Sequence, residues 1–223
     1  MTFYDRLSYG FDRDFPPFLY RKNEVRLKKF SSPIETWISK PLYHTRLFIF
    51  GFWYTSFMKV LVFGPSGSGK TYLSSELKKL GINAIDADSI NGLSSWYAGA
   101  GNKVKYPEDA DEEFLNNHSF LWDRKFLEDY LSKNPEIYIF GASGNIFEML
   151  DLFDKVYFLK VEQDLQKERL LHQSRENPMG NTEYQRENAV RWGQQLEQKA
   201  KSLGIEFIDA TLSPQAAFEL IKH

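Results

Sequence analysis

Residues 59–74 read KVLVFGPSGSGKTYLS, from Lys59 to Ser74. KVLVF is a short apolar run suited to a buried strand. A glycine-rich turn follows, and then a helical stretch from Thr71 to Leu80, stopped by Gly81. Lys70 falls where that helix begins, an odd place for a cation. A helix N-terminus already carries positive partial charge and unpaired N–H groups. The stretch from Gly64 to Thr71 fits G-x-x-x-x-G-K-[ST] at every position, which removes the conflict. Gly67 and Gly69 permit backbone angles that side chains would block. Gly64, Pro65, Ser66, Gly67, Ser68 and Gly69 then form a loop whose amides converge on an anion, and the helix end adds to it. Lys70 makes sense there only if several negative charges arrive together, as the β- and γ-phosphates of ATP do. The Thr71 hydroxyl is the expected ligand to Mg²⁺.

Outward from this loop, strands and helices alternate. INAI (82–85) is a second expected strand, ending at Asp86-Ala87-Asp88, and a polar loop runs on to about Pro107. The spacing of Leu115, Trp122, Phe126 and Tyr130 predicts one long helix over 109–133. Strands are expected at 136–140, 155–161 and 205–209, with helices at 145–152, 162–175 and 183–203 and from Pro214. Five strands alternating with helices imply an α/β fold with a five-stranded parallel sheet covered on both faces. Ligands in such sheets bind at the carboxyl ends of the strands. Three loops leave those ends with usable chemistry: GPSGSGKT, DAD and GASGN.

Asp86 and Asp88 share one side if their strand stays extended. A carboxylate there can hold Mg²⁺ or accept the proton of a substrate hydroxyl; the plainer alternative is that Asp88 caps a helical turn. Arg169 and Arg175 lie six residues apart, so they share a helix face only if the helix ends between them. Either can stabilise charge on a moving phosphoryl group, while Arg175 also suits a helix C-terminus. Trp96 can stack on a substrate ring, though packing is the preferred reading. Arg124 is expected to pair with Glu128, and Asn145 to cap a helix. The run 108–113 reads as an acidic helix start. The third strand ends in Gly141 rather than in the Asp that a hydrolytic motor needs, and no guanine-specific N-K-x-D is present. Only 152 residues follow Thr71, short for a ring-forming mechanical ATPase.

The chain holds 223 residues with a formal net charge of −2 and no cysteine. That excludes a disulfide scaffold and any cysteine-based metal site or nucleophile, and it fits a reducing cytoplasm, the expected location. Residues 1–57 carry nine Lys/Arg against five Asp/Glu and 16 of the 36 aromatics. These shifts place a boundary at Met58, dividing a basic, aromatic-rich extension (1–57) from a compact domain (58–223). The extension admits three readings: a docking appendage, a segment packed on the domain, or a poorly ordered stretch, the last being preferred. Its net charge of +4 is too modest to argue for nucleic-acid contact. The longest apolar run, Leu47 to Met58, has twelve residues, short of the about 20 a membrane span requires.

Taken in order, GPSGSGKT, IDAD, IFGASGN and the stretch near RENPMGN resemble the small P-loop kinases, the group of shikimate, gluconate and adenylate kinases. The resemblance spans roughly 58–223. It is strongest to kinase-like ATP-binding chains that share D-A-D-x-I-x-G-L-x-x-W, G-A-S-x-N and N-P-x-G. It implies a nucleoside- or shikimate-kinase-like fold that transfers the γ-phosphoryl group of ATP to a small-molecule acceptor. It further implies Asp86 near Mg²⁺, Asp88 at the acceptor, and Gly141 to Gly144 as a turn that the acceptor approaches. Arg169 and Arg175 would belong to a mobile lid, and Asp209 to Thr211 would lie against adenine. The glycine pattern of the third loop departs from shikimate kinases, so the acceptor does not transfer. The alternatives are a nucleotide-binding regulatory protein or weak ATPase without an acceptor, and an interaction protein that works through residues 1–57.

Overall fold

The computed structural model describes residues 58–99, 101–107, 109–172 and 180–222. The extension 1–57 and Arg175 lie outside the described residues.

Five parallel strands form the central sheet: β1 (Lys59–Phe63), β2 (Ala84–Asp86), β6 (Ile137–Gly141), β7 (Lys155–Lys160) and β8 (Glu206–Asp209), in the order β2-β6-β1-β7-β8. β1 sits at the centre, with Leu61 opposite Ile139 on one side and Val156 on the other. Alternation along β1 divides the core into two layers. Val60 and Val62 face one way, onto α1 (Lys70–Lys79) and α6 (Pro214–Ile221) through Leu73, Leu77, Ala217 and Ile221. Leu61 and Phe63 face the other way, toward α3 (Arg124–Lys133) and α5 (Glu183–Ser202). Leu127, Leu131, Leu196 and Ala200 close that side. Both faces are covered, as a parallel sheet requires. α4 (Gln163–Leu171) follows β7. Among the described residues, no helix is long and apolar enough to cross a membrane.

The sequence does not announce a second sheet. The expected polar loop holds β3 (Ser94–Ala98) and β4 (Lys103–Val104), and the expected long helix is broken. Its first part is α2 (Glu112–Asn117), followed by β5 (His118–Trp122), and only then by α3. β3 pairs antiparallel with both β4 and β5. Two caps explain the break. Asp111 accepts a hydrogen bond from the Phe114 N–H at 2.8 Å, and Asp123 accepts one from the Phe126 N–H at 2.9 Å. Two helix starts twelve residues apart leave room for a strand between them, and HSFLW, with two aromatics, suits one. The expected helix 145–152 is two short 3₁₀ turns, Ile146–Glu148 and Leu150–Leu152.

Candidate active site

The phosphate loop joins β1 to α1, where its backbone is set by contacts on three sides. Gly67 and Gly69 adopt φ of 83° and 95°, a region that other residues rarely adopt. A Cβ at Gly64 would stand 2.6 Å from the Leu159 carbonyl oxygen, so β7 presses directly on the loop. Gln166, 3 % exposed, donates from Nε2 to the Ser66 carbonyl at 2.9 Å. Arg169 Nη1 donates to the Ser68 carbonyl at 3.1 Å. In a trans peptide the C=O and the following N–H point opposite ways. Drawing the Ser66 and Ser68 carbonyls toward α4 therefore turns the Gly67 and Gly69 amides the other way. From α5, Gly193 lies so close to Pro65 that a Cβ on it would be 2.8 Å from the proline Cβ. Gln166 and Gly193 were not singled out in the sequence, because nothing near them in the chain shows what they touch.

α1 begins at Lys70 with no acidic residue in its first turn and no side-chain cap from Gly69. Its amides are left to an external anion. The Lys70 ammonium folds back over the loop and donates to the Gly64 and Pro65 carbonyls at 2.8 Å each. The helix-start cation is thus stabilised by two loop carbonyls. Thr71 follows it and is exposed.

β2 stops at Asp86, and Ala87–Ser89 form a 3₁₀ turn, so the extended spacing expected of DAD does not hold. Asp86 rather than Asp88 is the cap: its Oδ1 accepts from the Asp88 N–H at 3.0 Å. Asp88 lines the same cleft as Lys70, Gly64 and Ser66. Asp88 is exposed at the surface, yet the cleft walls crowd its carboxyl group. That desolvation raises its pKa; the neighbouring Asp86 charge raises it further, and Lys70 opposes both.

The GASGN turn leaves β6 beneath the small sheet. Gly141 has no room for a side chain, since a Cβ there would be 2.4 Å from the Ala87 Cβ and 2.7 Å from the Trp122 ring. Its closest approach is to protein. Ala142, Ser143 and Gly144 do line the cleft. Gly144 N–H donates to the Phe120 carbonyl at 2.7 Å. Asn145 is not a helix cap: it accepts from the Trp122 N–H and donates to the Trp122 carbonyl, both at 3.0 Å. This amide ties the cleft floor to β5.

Arg169 lies on the far side of the phosphate loop. Besides Ser68 it donates to the Ala210 carbonyl at 3.2 Å, joining the loop to the segment after β8. There Asp209 accepts from the Thr211 N–H at 2.8 Å and hydroxyl at 2.7 Å, bonds that lower its pKa. Ser68, Gly69, Tyr72, Arg169 and residues 209–214 enclose a second depression, continuous with the helix start. Trp96 packs with Tyr106, Phe114 and Phe120 at centroid distances of 5.1 to 5.6 Å, and it also lines the cleft. Arg124 pairs with Glu128 as expected, and with Asp151 at 2.6 Å, away from the cleft.

Residues 60–212 match the family described as AAA domain. No curated protein matches the chain. Among solved structures, it is similar to shikimate kinase from Acinetobacter baumannii in complex with shikimate. That match has 17% identity and a TM-score of 0.45, and covers 73% of this chain and 88% of the other. Deoxyadenosine kinase from M. mycoides with bound dATP matches at 19% identity and a TM-score of 0.38, over 73% of this chain and 96% of that one. A gluconokinase from Sinorhizobium meliloti 1021 matches at 13% identity and 0.41, over 74% and 89%.

Proposed function

The chain belongs to the AAA domain family, and from that premise we propose that it is an ATP-dependent kinase for a small-molecule acceptor. One observation carries the reading: Asp88, Lys70 and the phosphate loop open into one cleft with space beside the loop for a second molecule. A protein that only binds or hydrolyses nucleotide has no need of that space. Gly141 supports the same reading. Hydrolytic motors place an acidic residue there, and here Ala87 and Trp122 exclude any side chain.

In this scheme the amides of the loop and the α1 start bind the β- and γ-phosphates, and Lys70 swings from its carbonyls onto them. The acceptor oxygen attacks the γ-phosphorus, the bond from that phosphorus to the β,γ-bridging oxygen breaks, and ADP leaves. The acceptor's proton passes to the Asp88 carboxylate and on to solvent. A raised pKa suits that task, because it brings the base nearer to working pH. Arg169 holds the loop in shape on the nucleotide side, and Arg175 is proposed to add charge at the moving phosphoryl group. The Thr71 hydroxyl and the Asp86 carboxylate are oxygen donors of the kind Mg²⁺ takes and would hold it; its charge would offset that of the phosphates.

The test is ADP release from Mg·ATP across a panel of alcohols, sugars, nucleosides, nucleotides and hydroxy acids. The expected result is stimulation by one chemical class. A flat response across the panel, with nucleotide bound, favours a nucleotide-binding protein without an acceptor.

A further inference from the structure

The walls of the cleft restrict what can enter it. Six of its larger side chains are Trp96, Tyr106, Leu115, Phe120, Leu121 and Trp192, around a cavity of about 170 Å³. They come from β3, the segment after β4, α2, β5 and α5, so the second sheet supplies three of the six. Trp96 is held by three ring contacts, with Tyr106 at 5.1 Å, Phe114 at 5.5 Å and Phe120 at 5.6 Å. The wall is therefore rigid and aromatic.

Its polar side chains include Ser66, Ser119 and Asn188, and the Tyr106 hydroxyl is buried without a hydrogen-bond partner among the described residues, while two others are engaged. Gln185, 4 % exposed, accepts from the Gly180 and Asn181 amides at 2.9 Å and donates to the Ala110 carbonyl at 2.7 Å. The Ser143 hydroxyl donates to Asn145 at 2.9 Å. Among the described residues lining the cleft, the charged side chains are Lys70 and Asp88. Lys70 belongs to the phosphate loop, while Arg169 and Arg124 are bonded elsewhere. Among the described residues, a carboxylate or phosphate on the acceptor would meet Asp88 without a cation of its own. A polyol would set part of its hydroxyls against aromatic rings, which costs binding energy for each one left unpaired. A flat ring gains from the same surface.

We propose that the acceptor is an uncharged molecule with a flat aromatic body, seated on the Trp96 wall, that presents a hydroxyl to Asp88. This rests on the kinase reading and narrows its substrate class. The transfer balances as above: the ring compound's oxygen gains the phosphoryl group, ADP leaves, and the hydroxyl proton goes to Asp88. The ring can be the base of a nucleoside or that of a simple aromatic alcohol.

The experiment uses the full chain with Mg·ATP and three sets of probes. Adenosine and thymidine represent nucleosides, 4-hydroxybenzyl alcohol a plain aromatic alcohol, and shikimate, gluconate and AMP the anions. ADP release reports transfer. Tryptophan fluorescence with a non-hydrolysable ATP analogue reports binding independently of transfer. The expected result is transfer to, and saturable quenching by, a member of the first or second set, which also identifies the source. Transfer to an anionic probe overturns the inference and leaves the kinase reading standing. Saturable aromatic binding without transfer overturns the inference, because the bound ring compound is then no acceptor, and leaves the kinase reading to the wider panel. No binding by either uncharged set overturns the inference. In the supporting case, Ala189→Leu on α5, which narrows the cleft without breaking a helix, should raise the acceptor KM at least tenfold and leave the KM for ATP unchanged. Trp96→Phe, which retains a ring, should raise it less. An equal rise in both KM values for Ala189→Leu would point to a distorted phosphate loop and count against the assignment.

Discussion

Lys70 and Asp88 carry opposite charges into one cleft, and their replacement should have opposite signatures. Lys70→Ala removes the ammonium group from the phosphates, and a charged hydrogen bond of this kind is worth about 1.5–3 kcal/mol. Affinity for Mg·ATP should fall by roughly ten- to a hundredfold by calorimetric titration. Folding stability should change by less than about 1 kcal/mol. The bonds lost to Gly64 and Pro65 are offset by removing a cation from the positive end of α1. Unchanged ATP binding would contradict the assignment of the loop. Asp88→Asn should behave otherwise. Because burial and Asp86 raise the Asp88 pKa, the folded state holds its proton more tightly than the unfolded chain. Stability therefore falls as pH rises from the ordinary carboxyl value of 3.8 through the raised one, and the penalty persists above it. The Asn variant should melt higher than the parent at pH 7, with the gain vanishing toward pH 3, while phosphoryl transfer drops by about 10²–10⁴. A variant that melts lower at pH 7 would show that the carboxylate stabilises the fold. The phosphate loop was legible at this scale because its chemistry lies in eight consecutive residues. Gln166, Gly193 and Asn145 were not, because each acts through a partner distant in sequence.

Elements show the same division between local and distant information. The five parallel strands were legible because each is a short apolar run between breakers. The boundary errors are of one or two residues, as at β8, expected from 205 and observed from Glu206. The second sheet was hidden. Leu115, Trp122, Phe126 and Tyr130 continue a helical period across β5, and the two Asp caps that interrupt it are weak signals beside it. The GASGN turn shows why the break matters. By pairing with β3 and holding Gly144, β5 lays an aromatic surface over the carboxyl ends of the main sheet. Gly141→Ala tests that docking. The added methyl would meet Ala87 and the Trp122 ring at well under contact distance, and overpacking of this kind costs about 1–3 kcal/mol. A lower urea midpoint with an unchanged slope is expected. Acceptor-dependent activity should fall more than nucleotide affinity, since Trp122 moves β5 and not the phosphate loop. An unchanged midpoint would mean that the small sheet is free to shift.

For the molecule as a whole, the question is which residues the fold needs. β1, the central strand, starts at Lys59, and its bonding to β6 reaches one residue further back. The Ile137 N–H donates to the Met58 carbonyl at 3.1 Å, and Met58 packs against the α1 and α6 layer. Lys59 is held by Asp154, whose carboxylate accepts from its N–H at 2.8 Å and whose N–H donates to its carbonyl at 2.9 Å. Among the described residues, both core layers are filled from within 58–222. A chain starting at Met58 should therefore unfold in one cooperative transition. Mg·ATP at a hundred times its Kd should stabilise it by about 2.7 kcal/mol, as it should the full chain. A chain starting at Leu61 loses the Met58 and Lys59 bonds and the Val60 side chain from the centre of the sheet, and should not fold. If the Met58 chain also fails to fold, residues 1–57 complete the core. If it folds but binds no nucleotide while the full chain does, those residues contribute to the site. The two truncations together place the boundary within three residues, because a central parallel strand tolerates no shortening that an edge strand would.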